Sequence, residues 1–211
     1  MTPAYKYIFI AGAPGSKWSS VNKNIYFSPS IDNSDYSEAR TYSHDAPGEM
    51  TLMHIGAYFD PGMEFDLPES MSTLTRVQAE KLFDAPFSGT GVRIIKSHIF
   101  SYYENIQYLK ELWPECPIIT CYRNDDECLG WWVKCGHFNI TYPTYAKYYK
   151  ELRTMGKLIE RQNKGVLEAM ERNYDSRPTT NLELCKMIGI EPPPEQYRQD
   201  YTKSDVKVTL L

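Results

Sequence analysis

Hydrophobic and polar positions divide the chain into short apolar runs, turn residues and stretches with helical spacing. Tyr5 to Ala11 is an apolar and aromatic run broken only by Lys6. It predicts a buried strand, which Gly12-Ala13-Pro14-Gly15-Ser16 ends with turn residues. Trp18 to Asn24 predicts a short helix, so the N-terminal unit reads as strand, small-residue loop, helix. Val92 to Lys96 predicts another strand, Tyr102 to Trp113 a helix, and Pro117 to Tyr122 a further strand. Asp125 to Val133 opens the next helix with acidic residues in its first turn, where they complement the helix dipole. Two strands separated by one helix imply a parallel pair with a right-handed crossover.

The pattern is weaker elsewhere. Phe27 to Gly48 is polar, and residues 27–50 are expected to form a long surface loop. Thr51 to Gly56 can make a short strand, Pro61-Gly62 a turn, and Thr73 to Phe83 a helix with Leu74, Val77 and Leu82 on its apolar side. Tyr145 to Met170 reads as a long helix, broken at Asn173 to Arg177. Asn181 to Ile188 reads as a short one, stopped by Gly189 and Pro192-Pro193-Pro194. The tail, 201–211, is either flexible or adds Lys203 and Lys207 to a site.

At 211 residues the chain fits a single domain, and 42% hydrophobic with 24% charged residues places it among soluble globular proteins. The formal charge of -4 gives no global field to attract nucleic acid, so an anion site must be local. The five cysteines include no Cys-x-x-Cys pair, no leader pattern opens the sequence, and no apolar stretch approaches the roughly 20 residues of a membrane span. A reducing, cytoplasmic location without a membrane span is the expectation.

Three constellations carry candidate chemistry. The loop Gly12 to Ser20 fails the G-x-x-x-x-G-K-[ST] pattern, because Ser16 separates Gly15 from Lys17 and Trp18 follows the lysine. It is either an anion-binding turn or an ordinary strand-to-helix connection. Lys96 and His98 follow a strand, and alternation sends both to one side if the extended backbone continues. They can supply a fixed charge and a proton acceptor, or be a surface lysine beside a hydrogen-bonded histidine. Arg123 ends the third strand and can clamp a phosphate, or pair with Asp125, Asp126 or Glu127. His54, Cys121, Cys128, Cys135 and His137 make no compact metal-ligand pattern, so no metal is expected. Of Trp131 and Trp132, one is expected in the core and the other at a pocket edge.

The segments Arg93-Ile94-Ile95-Lys96-Ser97-His98 and Ile118-Ile119-Thr120-Cys121-Tyr122-Arg123-Asn124, together with Asn181 to Ile190, resemble the sulfotransferase superfamily. Members of that superfamily use 3'-phosphoadenosine-5'-phosphosulfate (PAPS). The resemblance implies a three-layer α/β fold over residues 1–211, with a central, mostly parallel sheet flanked by helices in the manner of P-loop NTPases. It implies that Pro14, Gly15, Ser16, Lys17, Trp18 and Ser19 cradle the 5'-phosphosulfate and that Arg123 approaches the 3'-phosphate. Where the family has a Ser eight residues after that Arg, this chain has Trp131, preceded by Gly130. The family's basic residue after Pro14 is replaced by Gly15, and its glycine by Lys17. No Gly-x-x-Gly-x-x-Lys loop is found near the C-terminus.

By the same resemblance, His98 is the general base toward a hydroxyl acceptor on a small molecule, lipid or carbohydrate. Lys96 and Lys17 stabilise developing charge, and the product is adenosine 3',5'-bisphosphate. The alternatives are a non-catalytic anion- or nucleotide-binding protein on the same scaffold and a divergent nucleotide-dependent phosphotransferase.

Overall fold

Six consecutive buried residues, Tyr7–Gly12, form strand β1. A strand covered on both faces belongs inside a sheet, where near-continuous apolar sequence replaces alternation. The computed structural model describes residues 3–35, 44–46, 49–51, 55–134, 151–172 and 176–211, with 44–46 and 49–51 described by backbone alone. Strand β1 lies between β4 (Arg93–Ser97) and β5 (Ile118–Tyr122), parallel to both. An antiparallel β6 (Lys207–Leu210) pairs with the outer side of β5. The sheet order is therefore β4-β1-β5-β6, and a separate two-stranded ladder joins β2 (His44–Ala46) to β3 (Glu49–Thr51).

Alternation along the strands divides the core. Ile8, Ile10, Ile94, Ile119 and Cys121 face one side, where they pack with α1 (Trp18–Tyr26), α4 (Asp125–Lys134) and α6 (Asn181–Ile188). Tyr7, Phe9, Ala11, Ile95 and Ile118 face the other, against α2 (Arg76–Asp84) and α3 (Tyr103–Leu112). The long α5 (Leu152–Glu171) gives Met155 and Ile159 to the first cluster and Ala169 to the second. Helices thus cover both faces of a mostly parallel four-stranded sheet, a three-layer α/β arrangement. Six α-helices are present among the described residues. None of them is long and apolar enough to cross a membrane.

Local sequence explains several boundaries. Thr75 caps α2 by accepting from the Gln78 N–H while the Gln78 side chain accepts from Thr75 N, so the helix begins after Thr75 and not at Thr73. Thr180 accepts from Glu183 N at the start of α6, and Gly189 ends that helix at φ 71°.

Four expectations require correction. The strands β4 and β5 are parallel but not neighbours, because β1 is inserted between them. The span 27–50 is not simply a surface loop. Ile31 bridges to Val92 beside β4, Ser28, Ile31 and Asp32 are buried, and β2 belongs to a ladder. The tail is no loose end, since Val206 and Val208 are buried and β6 completes the sheet. In the expected 51–56 strand, Thr51 closes β3, 52–54 lie outside the described residues, and pairing resumes at Tyr58 beside Lys96. Residues 145–150 of the long helical reading and 173–175 of the break after it also lie outside the described residues.

Candidate functional site

The three parallel strands end level with one another. Ala11 pairs with Ser97 and Gly12 with Cys121, so the loop after β1, the His98 turn after β4 and Arg123 after β5 share one rim. Carboxyl ends of strands in open α/β sheets are where ligands collect.

At the Gly12 end of the loop, His98 is buried and opens a 3-10 turn, His98–Ser101. Its Nδ1 lies 2.6 Å from the Gly12 carbonyl. A carbonyl only accepts, so Nδ1 carries the hydrogen and the lone pair of the neutral ring is on Nε2. Burial pushes the His98 pKa below its ordinary value. The Asp60 charge and the Gly12 bond oppose that shift, and the charge of Lys96 adds to it. The ring lies 4.2 Å from that of Trp18 and 5.6 Å from that of Tyr58, centre to centre.

Beneath it, Asp60 holds the turn in place. Its carboxylate accepts from Ser97 Oγ at 2.7 Å, His98 N at 3.1 Å, Ile99 N at 3.3 Å and Tyr58 Oη at 2.5 Å. Burial raises the Asp60 pKa against these donors and the charge of His98.

Lys96 is 0% exposed, so it is not a surface lysine. Its Nζ donates to the Ile55 carbonyl, which also accepts from Asn22 Nδ2. Lys96 thus acts on His98 through its charge, from the α1 side of the sheet.

The loop itself turns sharply, with Ser16 N donating to Ala13 O at 3.0 Å. Gly15 adopts φ 81°, and a β-carbon there would fall inside the backbone of Cys128 on α4. Lys17 caps α1 at φ 62°, the one non-glycine residue with positive φ among the described residues. A left-handed backbone disfavours any residue with a β-carbon, so the lysine bears strain that its contacts must offset.

Pro14, Ser16, Trp18 and Ser19 are buried. Ser16 Oγ is fully buried with no hydrogen-bond partner among the described residues. The amides of Gly15, Lys17 and Trp18 likewise donate to no protein group among the described residues.

At the Gly15 end, Arg123 is buried and held from several sides. Nη1 donates to the carbonyls of Gly15 at 3.2 Å and Glu127 at 2.8 Å. Nη2 meets Glu127 Oε2 at 3.0 Å, and Nε meets Asp205 Oδ2 at 2.6 Å. Lys17 Nζ donates to the other Asp205 oxygen at 2.7 Å. Burial raises the Asp205 pKa, but hydrogen bonds from Lys17 and Arg123 outweigh it and leave the carboxyl below its usual value.

The Trp131 ring lies 5.5 Å from Lys17 Nζ, 5.9 Å from the Arg123 guanidinium carbon and 5.8 Å from Lys134 Nζ. Trp132, in contrast, is in the core. Gly130 is exposed on α4, and a β-carbon there meets nothing within 4 Å.

The site therefore has two poles on one loop, His98 with Lys96 near Gly12 and Arg123 with Lys17 near Gly15. Among the described residues, Arg123 is held by Asp205, Glu127 and Gly15, and Lys96 donates to Ile55 on the other side. Of the acidic partners foreseen for Arg123, Glu127 is used. Asp205 and Asp60 were not foreseen, although the Pro61-Gly62 turn directly after Asp60 was a signal for the latter. Exposed Lys203 pairs with Asp200 and Lys207 lies over Tyr122, so what the tail brings to the loop is the carboxylate of Asp205. His54, Cys135 and His137 lie outside the described residues. Among the described residues no group of three or more His, Cys, Asp or Glu is arranged to hold a metal ion.

Comparison with family models, with curated proteins and with solved structures found no match for this chain.

Proposed function

We propose that this chain is a PAPS-dependent sulfotransferase on a P-loop-like scaffold, passing a sulfuryl group directly to a hydroxyl acceptor. The observation that carries the reading is the His98–Gly12 bond. It fixes the imidazole against the loop that ends β1 and assigns the basic lone pair to Nε2. Two features of the loop fit a phosphosulfate group: the buried Ser16 hydroxyl and the amides of Gly15, Lys17 and Trp18, none of which has a protein partner among the described residues. At the other pole the fit is incomplete, because Arg123 and Lys17 already hold Asp205.

When bound, such a donor supplies an electrophilic sulfur at its phosphosulfate end. The chain's own part is to orient and to move a proton. Pro14 to Ser19 would hold the anion through amides, Ser16 Oγ and Ser19. His98 Nε2 would accept the acceptor's hydroxyl proton, a role worth about 10²–10⁴-fold in rate. Burial, with a smaller push from the charge of Lys96, keeps the imidazole neutral before the proton arrives, and the Lys96 charge favours negative charge at the rim. Lys17, strained and aimed at the rim, adds a second cation.

The test is transfer of labelled sulfate from PAPS to a panel of hydroxyl acceptors by the wild-type chain and by His98→Asn. Transfer that falls at least about 100-fold in the variant with donor affinity kept supports the reading. Unchanged turnover in the variant removes His98 from the base role.

A second reading is favoured by one observation, the Asp205 carboxylate already seated on Lys17 and Arg123. A non-catalytic anion-binding protein on this scaffold would bind adenosine 3',5'-bisphosphate and transfer nothing. A phosphotransferase would instead bind ATP more tightly with magnesium.

A further inference from the structure

The cations at the Gly15 pole already hold an anion supplied by the chain itself. Asp205 presents one oxygen to Lys17 at 2.7 Å and the other to Arg123 Nε at 2.6 Å and Nη2 at 2.5 Å. This is how a guanidinium and an ammonium grip a phosphate.

The two partners differ in how firmly they are placed. The Arg123 side chain is 6% exposed, and its Nη1 is anchored on the Gly15 and Glu127 carbonyls, so it stays put if the carboxylate leaves. The Asp205 side chain is 38% exposed and sits between the Tyr201–Lys203 turn and β6. Rotation about its own side-chain bonds delivers it to water, with no strand displaced.

Charge balance points the same way. Lys17, Arg123 and Lys134 surround Trp131, while Asp205 and Glu127 are the carboxylates bonded to this group. A dianionic phosphate neutralises that surplus better than one carboxylate does. The strain at Lys17 fits a residue kept for its charge and not for backbone comfort.

We infer that Asp205 is a built-in occupant of this subsite, and that a phosphate group, free or on a nucleotide, enters between Lys17 and Arg123 by displacing the Asp205 carboxylate. The nucleotide arm of this inference rests on the donor reading above; the exchange of carboxylate for phosphate does not. An occupant tethered to the same chain lowers apparent affinity by the fraction of molecules in which it has already left. No covalent step is involved. The consequence is a threshold: ligand fills the site only at concentrations that outcompete an internal acid.

The experiment is calorimetric titration of wild type, Asp205→Asn and Asp205→Ser, each checked for cooperative unfolding, with inorganic phosphate and with adenosine 3',5'-bisphosphate. Both variants are expected to bind both probes about tenfold more tightly than wild type, the gain from an occupant that leaves the site open roughly a tenth of the time. A gain for inorganic phosphate without nucleotide binding upholds the exchange and removes the donor reading. Inorganic phosphate binding that is equal or weaker in the variants, with the nucleotide still bound, overturns the exchange and leaves the donor reading standing. No binding of either probe to any of the three proteins overturns both.

Discussion

His98 donates through Nδ1 to the carbonyl of Gly12, 86 residues earlier in the chain and 2.6 Å away. That bond ties the end of β4 to the end of β1, and it fixes which imidazole nitrogen keeps a lone pair.

Its first consequence is a pH dependence. Burial holds the folded-state pKa of His98 below the ordinary 6.5, so below pH 6.5 the unfolded chain binds a proton that the folded chain resists. The stability attached to His98 is therefore complete above pH 6.5 and is lost as pH falls toward the folded value. An NMR titration should show the His98 ring changing charge at a midpoint below 6.5. A midpoint at or above 6.5 would contradict the buried, neutral ring.

Gly15 and Gly130 should respond in opposite directions to alanine. At Gly15 the positive φ and the Cys128 backbone both oppose a side chain, so Gly15→Ala should cost at least about 2 kcal/mol. At Gly130, within a helix and facing open space, Gly130→Ala should gain roughly 0.5–1 kcal/mol. Urea denaturation of both variants checks the pair, and a Gly15→Ala protein as stable as wild type would remove the close loop-to-α4 packing.

Lys17 gives a sharper comparison. Both Lys17→Gly and Lys17→Ala lose the Asp205 ion pair, but only glycine relieves the left-handed backbone at φ 62°. The glycine variant should exceed the alanine variant in stability by about 1 kcal/mol. Equal melting curves would mean the backbone there is not strained.

How much of this was readable in advance depends on the range of the interactions. The buried strands announced themselves in Tyr5 to Ala11, Val92 to Lys96 and Pro117 to Tyr122, because a strand covered on both faces must be apolar along its length. Their ends then placed the glycine loop, His98 and Arg123 on one rim. Helix α6 was legible from its apolar spacing and Gly189. The insertion of β1 between β4 and β5 was not, since strand order is decided by packing between segments far apart in sequence.

Asp205 was hidden for a related reason. Val206 and Val208 alternate over too few residues to mark β6, and without that strand nothing places a carboxylate beside Lys17. For Lys96 the sequence left a site charge and a surface lysine both open, and its burial was not legible because its partner, the Ile55 carbonyl, lies 41 residues earlier in the chain.

Asp60 should prove a structural keystone of the His98 turn. Asp60→Ala takes a buried acceptor from the Ser97 and Tyr58 hydroxyls and the His98 amide, leaving Ile99 N only its bond to Ser97 Oγ, which should cost at least about 3 kcal/mol. Tyr58→Phe removes one of those donors and should cost about 1 kcal/mol. Chemical denaturation measures both, and a loss in Asp60→Ala no larger than in Tyr58→Phe would show that the turn holds without the carboxylate.

The most direct test of the sulfuryl-transfer account is calorimetric titration of the wild-type chain with adenosine 3',5'-bisphosphate and, in parallel, with ATP with and without magnesium. The account predicts saturable binding of the bisphosphate at one site, independent of magnesium and tighter than ATP. Binding of ATP that strengthens with magnesium and exceeds that of the bisphosphate would contradict it.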